Sequence, residues 1–166
     1  MWIVLIVIIY FVAIFGVSRL FIPHLGLKLE KIPDDIPADM SEEIEKLKSE
    51  SGSAAEFLEK SWELIGGRYR SERFNTLFKF RYLFKDLKEI WNMRGYIPCT
   101  QSSFLLRIFL VKSGFFKEAE VALRHTFVNF CIHQYLRVKI NDQWMDVDVG
   151  EKQRGMKLGK HLKWFG

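Results

Sequence analysis

Cys99 follows Pro98 and opens the stretch CTQSSFLLRIFLVKSG, whose apolar spacing predicts a helix from Cys99 to Gly114. A thiol at a helix N-terminus meets unpaired backbone N–H groups and the positive end of the helix dipole. Both favour the thiolate, which is the form that attacks carbon. The same N–H groups could hold an oxyanion on an acyl carbon. His133 could take the thiol proton and return it to a leaving amine. A carboxylate behind the imidazole would fix its tautomer, and Asp148 and Asp146 stand on the expected partner strand. Each residue also has a plain structural role open to it. Cys99 could be a small buried hydrophobe, His133 a surface histidine, and the two aspartates hairpin surface charges. His24, His125 and His161 are nameable beside His133.

These side chains need elements to bring them together. Residues 23–39 hold three of the four prolines and read as a linker. A helix is expected from Ser41 and another from Ala54, the latter burying Phe57, Leu58, Trp62 and Ile65 and ending at Gly66-Gly67. Residues 71–91 are aromatic and basic with near-helical spacing. From Thr126 the period changes to two. Val128, Phe130, Ile132, Leu136, Val138 and Ile140 share one parity, with Gln134 as the polar exception. His133 and Cys131 take the other parity. The NDQ turn at 141–143 and the WMDVDV strand complete a hairpin over residues 127–149. The remaining tail is basic and loop-like.

The order of a cysteine on a helix, a histidine in a strand and an aspartate after a turn resembles the transglutaminase-like superfamily, a permuted relative of papain-type cysteine proteases. The likeness covers residues 54–150. It lies in Cys99 with Ser103 four places on and Gly114 fifteen places on, and in His133 with Tyr135 two places on. Trp144 stands eleven places after His133 and Asp148 fifteen places after. A helix from 54 followed by Tyr69 matches the family's lead-in. The resemblance implies Cys99 as nucleophile, His133 as base and Asp148 as orienter, with Asp146 in reserve. Gln134 departs from it, standing where a small residue is common, and Val149-Gly150 replaces a proline after the aspartate. The implied activity is thiol-dependent acyl transfer or hydrolysis on peptide or glutamine-type amides, with a peptide or protein as partner. Three alternatives stand beside it: an inactive peptide-binding module of the same fold, a leader-peptide protease like those of lasso-peptide maturation, and a membrane-surface structural protein using Arg68, Arg70, Arg73, Lys79, Arg81 and Lys85 on lipid head groups.

The N-terminus points to a membrane. Residues 2–17 carry no charge, and about twenty residues at ~1.5 Å rise match a ~30 Å hydrocarbon core. A cleaved signal peptide is the rival, with Gly16-Val17-Ser18 as its cleavage site, but no Lys or Arg precedes the apolar run. Arg19, Lys28 and Lys31 follow the span and lean toward a cytoplasmic domain. With 49% hydrophobic residues the chain can bury a core, so disorder is not expected. The net charge of +5 is scattered rather than blocked, which argues against a nucleic-acid partner. Two cysteines do not make a disulfide framework. Cys131 and His133 could seed a metal site, but no further ligand set accompanies them, so neither metal nor cofactor is expected. The expected architecture is α+β: a membrane anchor over residues 1–22, a linker and short helix over 23–52, and a transglutaminase-like domain over 53–166 in which helices pack on a small antiparallel sheet.

Overall fold

A computed structural model of the chain describes residues 2–21, 31–70, 80–128, 131–152, 155 and 157–162. The fold is α+β, with helices packed on a small antiparallel sheet, as the sequence predicts. Residues 71–79 and 129–130 lie outside the described residues. So do parts of the expected aromatic-basic segment and Phe130.

The apolar N-terminus forms α1 (Trp2–Val12), a π-helical turn (Ala13–Val17) and α2 (Ser18–Phe21) in unbroken succession. No helix among the described residues is long and apolar enough to cross a membrane. The single span expected over residues 1–22 is instead divided by the π turn, which contains Gly16, the weakest α-former after proline. The rod buries none of the α1 residues; Trp2 is 73% exposed and Leu20 78%. Phe11 stacks on Phe127 at 6.2 Å.

Helix α3 (Ala38–Ser49) starts three residues before the expected Ser41, behind Pro37. Helix α4 (Ala54–Arg68) is capped by Ser53, whose hydroxyl accepts from the Glu56 N–H. It does not stop at Gly66-Gly67. It continues to Arg68, because Gly66 lets the Lys152 side chain pass so closely that a Cβ would sit 2.7 Å from it. The two-residue strands β1 (Tyr69–Arg70) and β2 (Gly95–Tyr96) pair in parallel, with Gly95 at φ +87°, a conformation glycine takes without strain. Between them lie a 3₁₀ turn (Phe80–Phe84) and α5 (Leu87–Asn92), the latter opened by an Asp86–Glu89 capping box.

Helix α6 (Cys99–Lys112) is the centre of the molecule. It is buried without a break from Thr100 to Leu110, between α4 and the sheet. That is why its apolar residues do not keep to one side. The sheet is β3 (Val121–Val128), β4 (Cys131–Ile140) and β5 (Gln143–Val147), in that order and antiparallel throughout. Strand β3 is a correction to the sequence reading, which took residues from Thr126 as the start of one strand. Residues 126–128 instead end β3, opposite Cys131–His133 of β4. The β4–β5 hairpin turns at Asn141 and Asp142, both with positive φ, the backbone of a two-residue hairpin turn. A short helical turn, Val149–Lys152, then leads to the tail. Leu136, Val138 and Val147 face the core, and Gln134 shares their side and their burial.

Candidate active site

Two of the three sequence-predicted site residues stand at element ends, and the sheet register brings them to one point. Cys99 is the first residue of α6, preceded by Pro98. The first carbonyl to accept inside the helix is that of Pro98, from the Gln101 and Ser102 N–H groups. The Cys99 and Thr100 N–H groups therefore have no acceptor within the helix. A proline before the helix brings no side-chain acceptor either, so nothing of the usual capping kind competes for those donors.

His133 lies in β4 opposite Thr126 of β3, and Asp148 directly follows β5. The His133 ring donates from Nε2 to Asp148 Oδ2 at 2.6 Å. With Nε2 so engaged, Nδ1 is the ring nitrogen left for the Cys99 thiol, which lies close enough to His133 for each to shift the other's titration. The Gln134 backbone N–H also favours the charged form of the sulfur. Cys99 is partly exposed, whereas the His133 side chain is 11% exposed and that of Asp148 1%. The row thus runs from a partly exposed residue to a sealed carboxylate.

The electrostatics follow from this order. Burial works to lower the His133 pKa, but hydrogen bonds and charge from Asp148 and Cys99 outweigh it and raise the value to about 10. Burial likewise pushes the Cys99 thiol up. The His133 hydrogen bond and charge, with the Gln134 N–H, outweigh that and bring it below its ordinary value. Both directions favour a thiolate beside an imidazolium.

Asp148 is held from several sides. Its Oδ1 accepts from the Gly150 N–H at 3.1 Å, and its Oδ2 accepts from the Leu162 N–H at 3.2 Å as well as from His133. Trp62 Nε1 donates to its backbone carbonyl at 2.9 Å. Asp146, the reserve orienter, is elsewhere. It accepts from His161 Nδ1 at 2.9 Å and lies 3.2 Å from Arg137 Nε. Trp144, expected near the site from its spacing, is 43% exposed on β5 opposite Lys139. His125 reaches Gln134 Oε1 at 3.1 Å. His24 and the Cys131 side chain lie outside the described residues. No cluster of metal-ligating side chains occurs among the described residues.

Several contributors escape sequence reasoning. Gln134 is the most informative. Its side-chain amide donates to the Thr100 carbonyl at 3.3 Å, and its own carbonyl accepts from Ser103 Oγ at 3.3 Å. It clamps the first turn of α6 onto β4, so its polar intrusion into an apolar parity was the available signal. Ser103 is small because that contact leaves no room for more. Nothing in the sequence marks the Leu162 or Gly150 amides, since backbone donors carry no residue signature.

No protein-family model matches the chain, and comparison with curated proteins and with solved structures found no match.

Proposed function

We propose that the protein is a thiol-dependent acyl-transfer enzyme of the transglutaminase-like kind, acting on peptide or glutamine-type amides. The observation that carries this is the 2.6 Å hydrogen bond from His133 Nε2 to Asp148 Oδ2, with the Cys99 thiol electrostatically coupled to the same imidazole. The Cys99 thiolate adds to the amide carbonyl carbon, and the carbonyl π electrons move to oxygen. The Cys99 and Thr100 N–H groups at the start of α6 are the donors positioned for that oxyanion. On collapse the C–N bond breaks, and His133 passes its Nδ1 proton to the departing amine. The resulting thioester is attacked by water, His133 takes one proton from it, and the carboxylic acid leaves as the thiolate re-forms. Water is the favoured acceptor because it needs no second binding site. Asp148 holds the imidazole throughout.

The apolar rod, residues 2–21, gives the enzyme a membrane location, since its large apolar side chains stand exposed, Ile3 and Leu20 at 78% and Phe21 at 68%.

Alkylation with iodoacetamide tests the chemistry. Cys99 in the native chain should react rapidly at neutral pH, and His133→Ala should slow it at least tenfold at pH 7. Ordinary thiol rates in both proteins would leave a peptide-binding module rather than an enzyme.

A further inference from the structure

A second histidine–aspartate pair lies one strand step from the first, and the tail joins the two. Asp146 and Asp148 are two residues apart, and the tail residues that reach them, His161 and Leu162, are adjacent. The His161 ring lies flat on Tyr135, centroids 4.3 Å apart and planes 1° apart, while its Nδ1 donates to Asp146 Oδ2. Tyr135 is two residues beyond His133 on the same strand face. His161 is therefore pinned in two directions, by stacking and by a hydrogen bond. The next residue, Leu162, is 3% exposed and delivers its N–H to Asp148 Oδ2, the oxygen that His133 uses.

We propose, on the triad reading above, that the C-terminal tail is part of the active site: His161 is a positioning residue that seats the Leu162 N–H on Asp148. The Asp148 carboxylate can rotate about its last side-chain bond. Gly150 N–H restrains one oxygen and Leu162 N–H the other. With both held, the carboxylate presents a fixed lone pair to His133 Nε2. The buried Leu162 side chain also keeps water from competing for that lone pair. Without the tail, Oδ2 keeps only His133 and gains solvent. The imidazolium is then less well held, and the Cys99 thiol regains part of its proton at neutral pH.

The test uses the full chain in detergent, with Cys131→Ser so that one thiol reports. Iodoacetamide rates are followed from pH 5 to pH 10 for this protein and for four derivatives: a stop after Lys160, His161→Ala, His161→Asn and His133→Ala. The stop and His161→Ala should slow alkylation at least threefold at pH 6, with rates converging on the parent above pH 9, where any thiol ionises. Each unit by which the acid inflection moves is about a tenfold change in thiolate below it. His161→Asn keeps a donor for Asp146 and should fall between His161→Ala and the parent. An unchanged profile in both tail variants, with His133→Ala slow, overturns the role of the tail. So does a slowing that is equal at every pH, which would mean altered access or folding. If His133→Ala matches the parent, the triad reading itself fails and the tail has no site to serve.

Discussion

At the scale of single residues, the thiolate–imidazolium pair sets a pH window whose sign can be worked out. The His133 pKa is raised above its ordinary 6.5 to about 10. Its contribution to stability is complete below about pH 6.5 and is lost as pH climbs through about 10. Cys99 is lowered from its ordinary 9.0, so its contribution is present above pH 9 and is lost as pH falls through its lowered value. Both groups are charged between those limits. Alkylation of Cys99 should therefore hold a plateau through neutral pH, and His133→Ala should move the inflection back toward 9. Replacing Asp148 by Asn tests the third member. Papain-type sites use an asparagine there, so the amide still orients the ring while its charge is lost. A loss of about tenfold in alkylation rate at pH 6 is expected, one pKa unit's worth, with circular dichroism unchanged. Cys99, His133 and Asp148 were legible in the sequence because side-chain chemistry and order mark them. Asp146 and Asp148 are acids two residues apart on one strand parity, and only the family spacing ranked Asp148 first. What separates them is that β5 ends at Val147, so Asp148 can turn toward His133 while Asp146 stays paired with His161.

At the scale of elements, the nucleophile is placed by how closely α6 approaches β4, and two polar side chains govern that approach. Ser103 is 2% exposed and donates to the Gln134 carbonyl, while Gln134 is 1% exposed and bonds the Thr100 carbonyl. Ser103→Leu would force the helix outward. Overpacking of this kind costs about 1–3 kcal/mol, and the displaced sulfur would lose His133. Urea denaturation should report the stability loss, and alkylation at pH 7 should fall further than in a surface variant such as Lys117→Ala. Gln134→Leu isolates the amide. It keeps the volume but removes the side-chain bonds to the Thr100 carbonyl and to His125, each worth about 0.5–1.5 kcal/mol net, so that order of stability should be lost. Helix α6 was readable from its long apolar run closed by Gly114, and the β4–β5 hairpin from a clean period of two and a turn that uses Asn141 and Asp142. Strand β3 was not. Its residues VALRHTFV are mostly half-buried, so neither face is uniformly apolar and no period of two stands out. The reach of α4 through Gly66-Gly67 was hidden for another reason: Gly66 serves packing against Lys152 rather than termination.

At the scale of the whole molecule, the question is which surface the apolar rod prefers. Against the domain it has the Phe11–Phe127 stack, and such a ring pair is worth about 0.5–1.5 kcal/mol beyond burial. Against lipid, each Ile, Val, Leu or Phe of α1 contributes about 0.3–0.6 kcal/mol on an insertion scale, and α1 consists almost wholly of such residues. The lipid sum exceeds that stack by several fold, so the rod should favour a bilayer when one is present. Phe11 sits near the middle of residues 2–21, so a rod that crosses a bilayer would separate it from Phe127. Full-length chain mixed with vesicles of phosphatidylcholine and phosphatidylglycerol should float with them on a density gradient. Ile6→Lys with Ile9→Lys places two charges in the rod, each costing about 2.5–3.5 kcal/mol at the centre of a membrane helix. That variant should remain in the dense fraction. Ile6 is 63% exposed and Ile9 58%, so the domain loses no packing and Cys99 should alkylate at the native rate. Flotation of the double variant at the native level would mean that the rod is not the membrane-binding element.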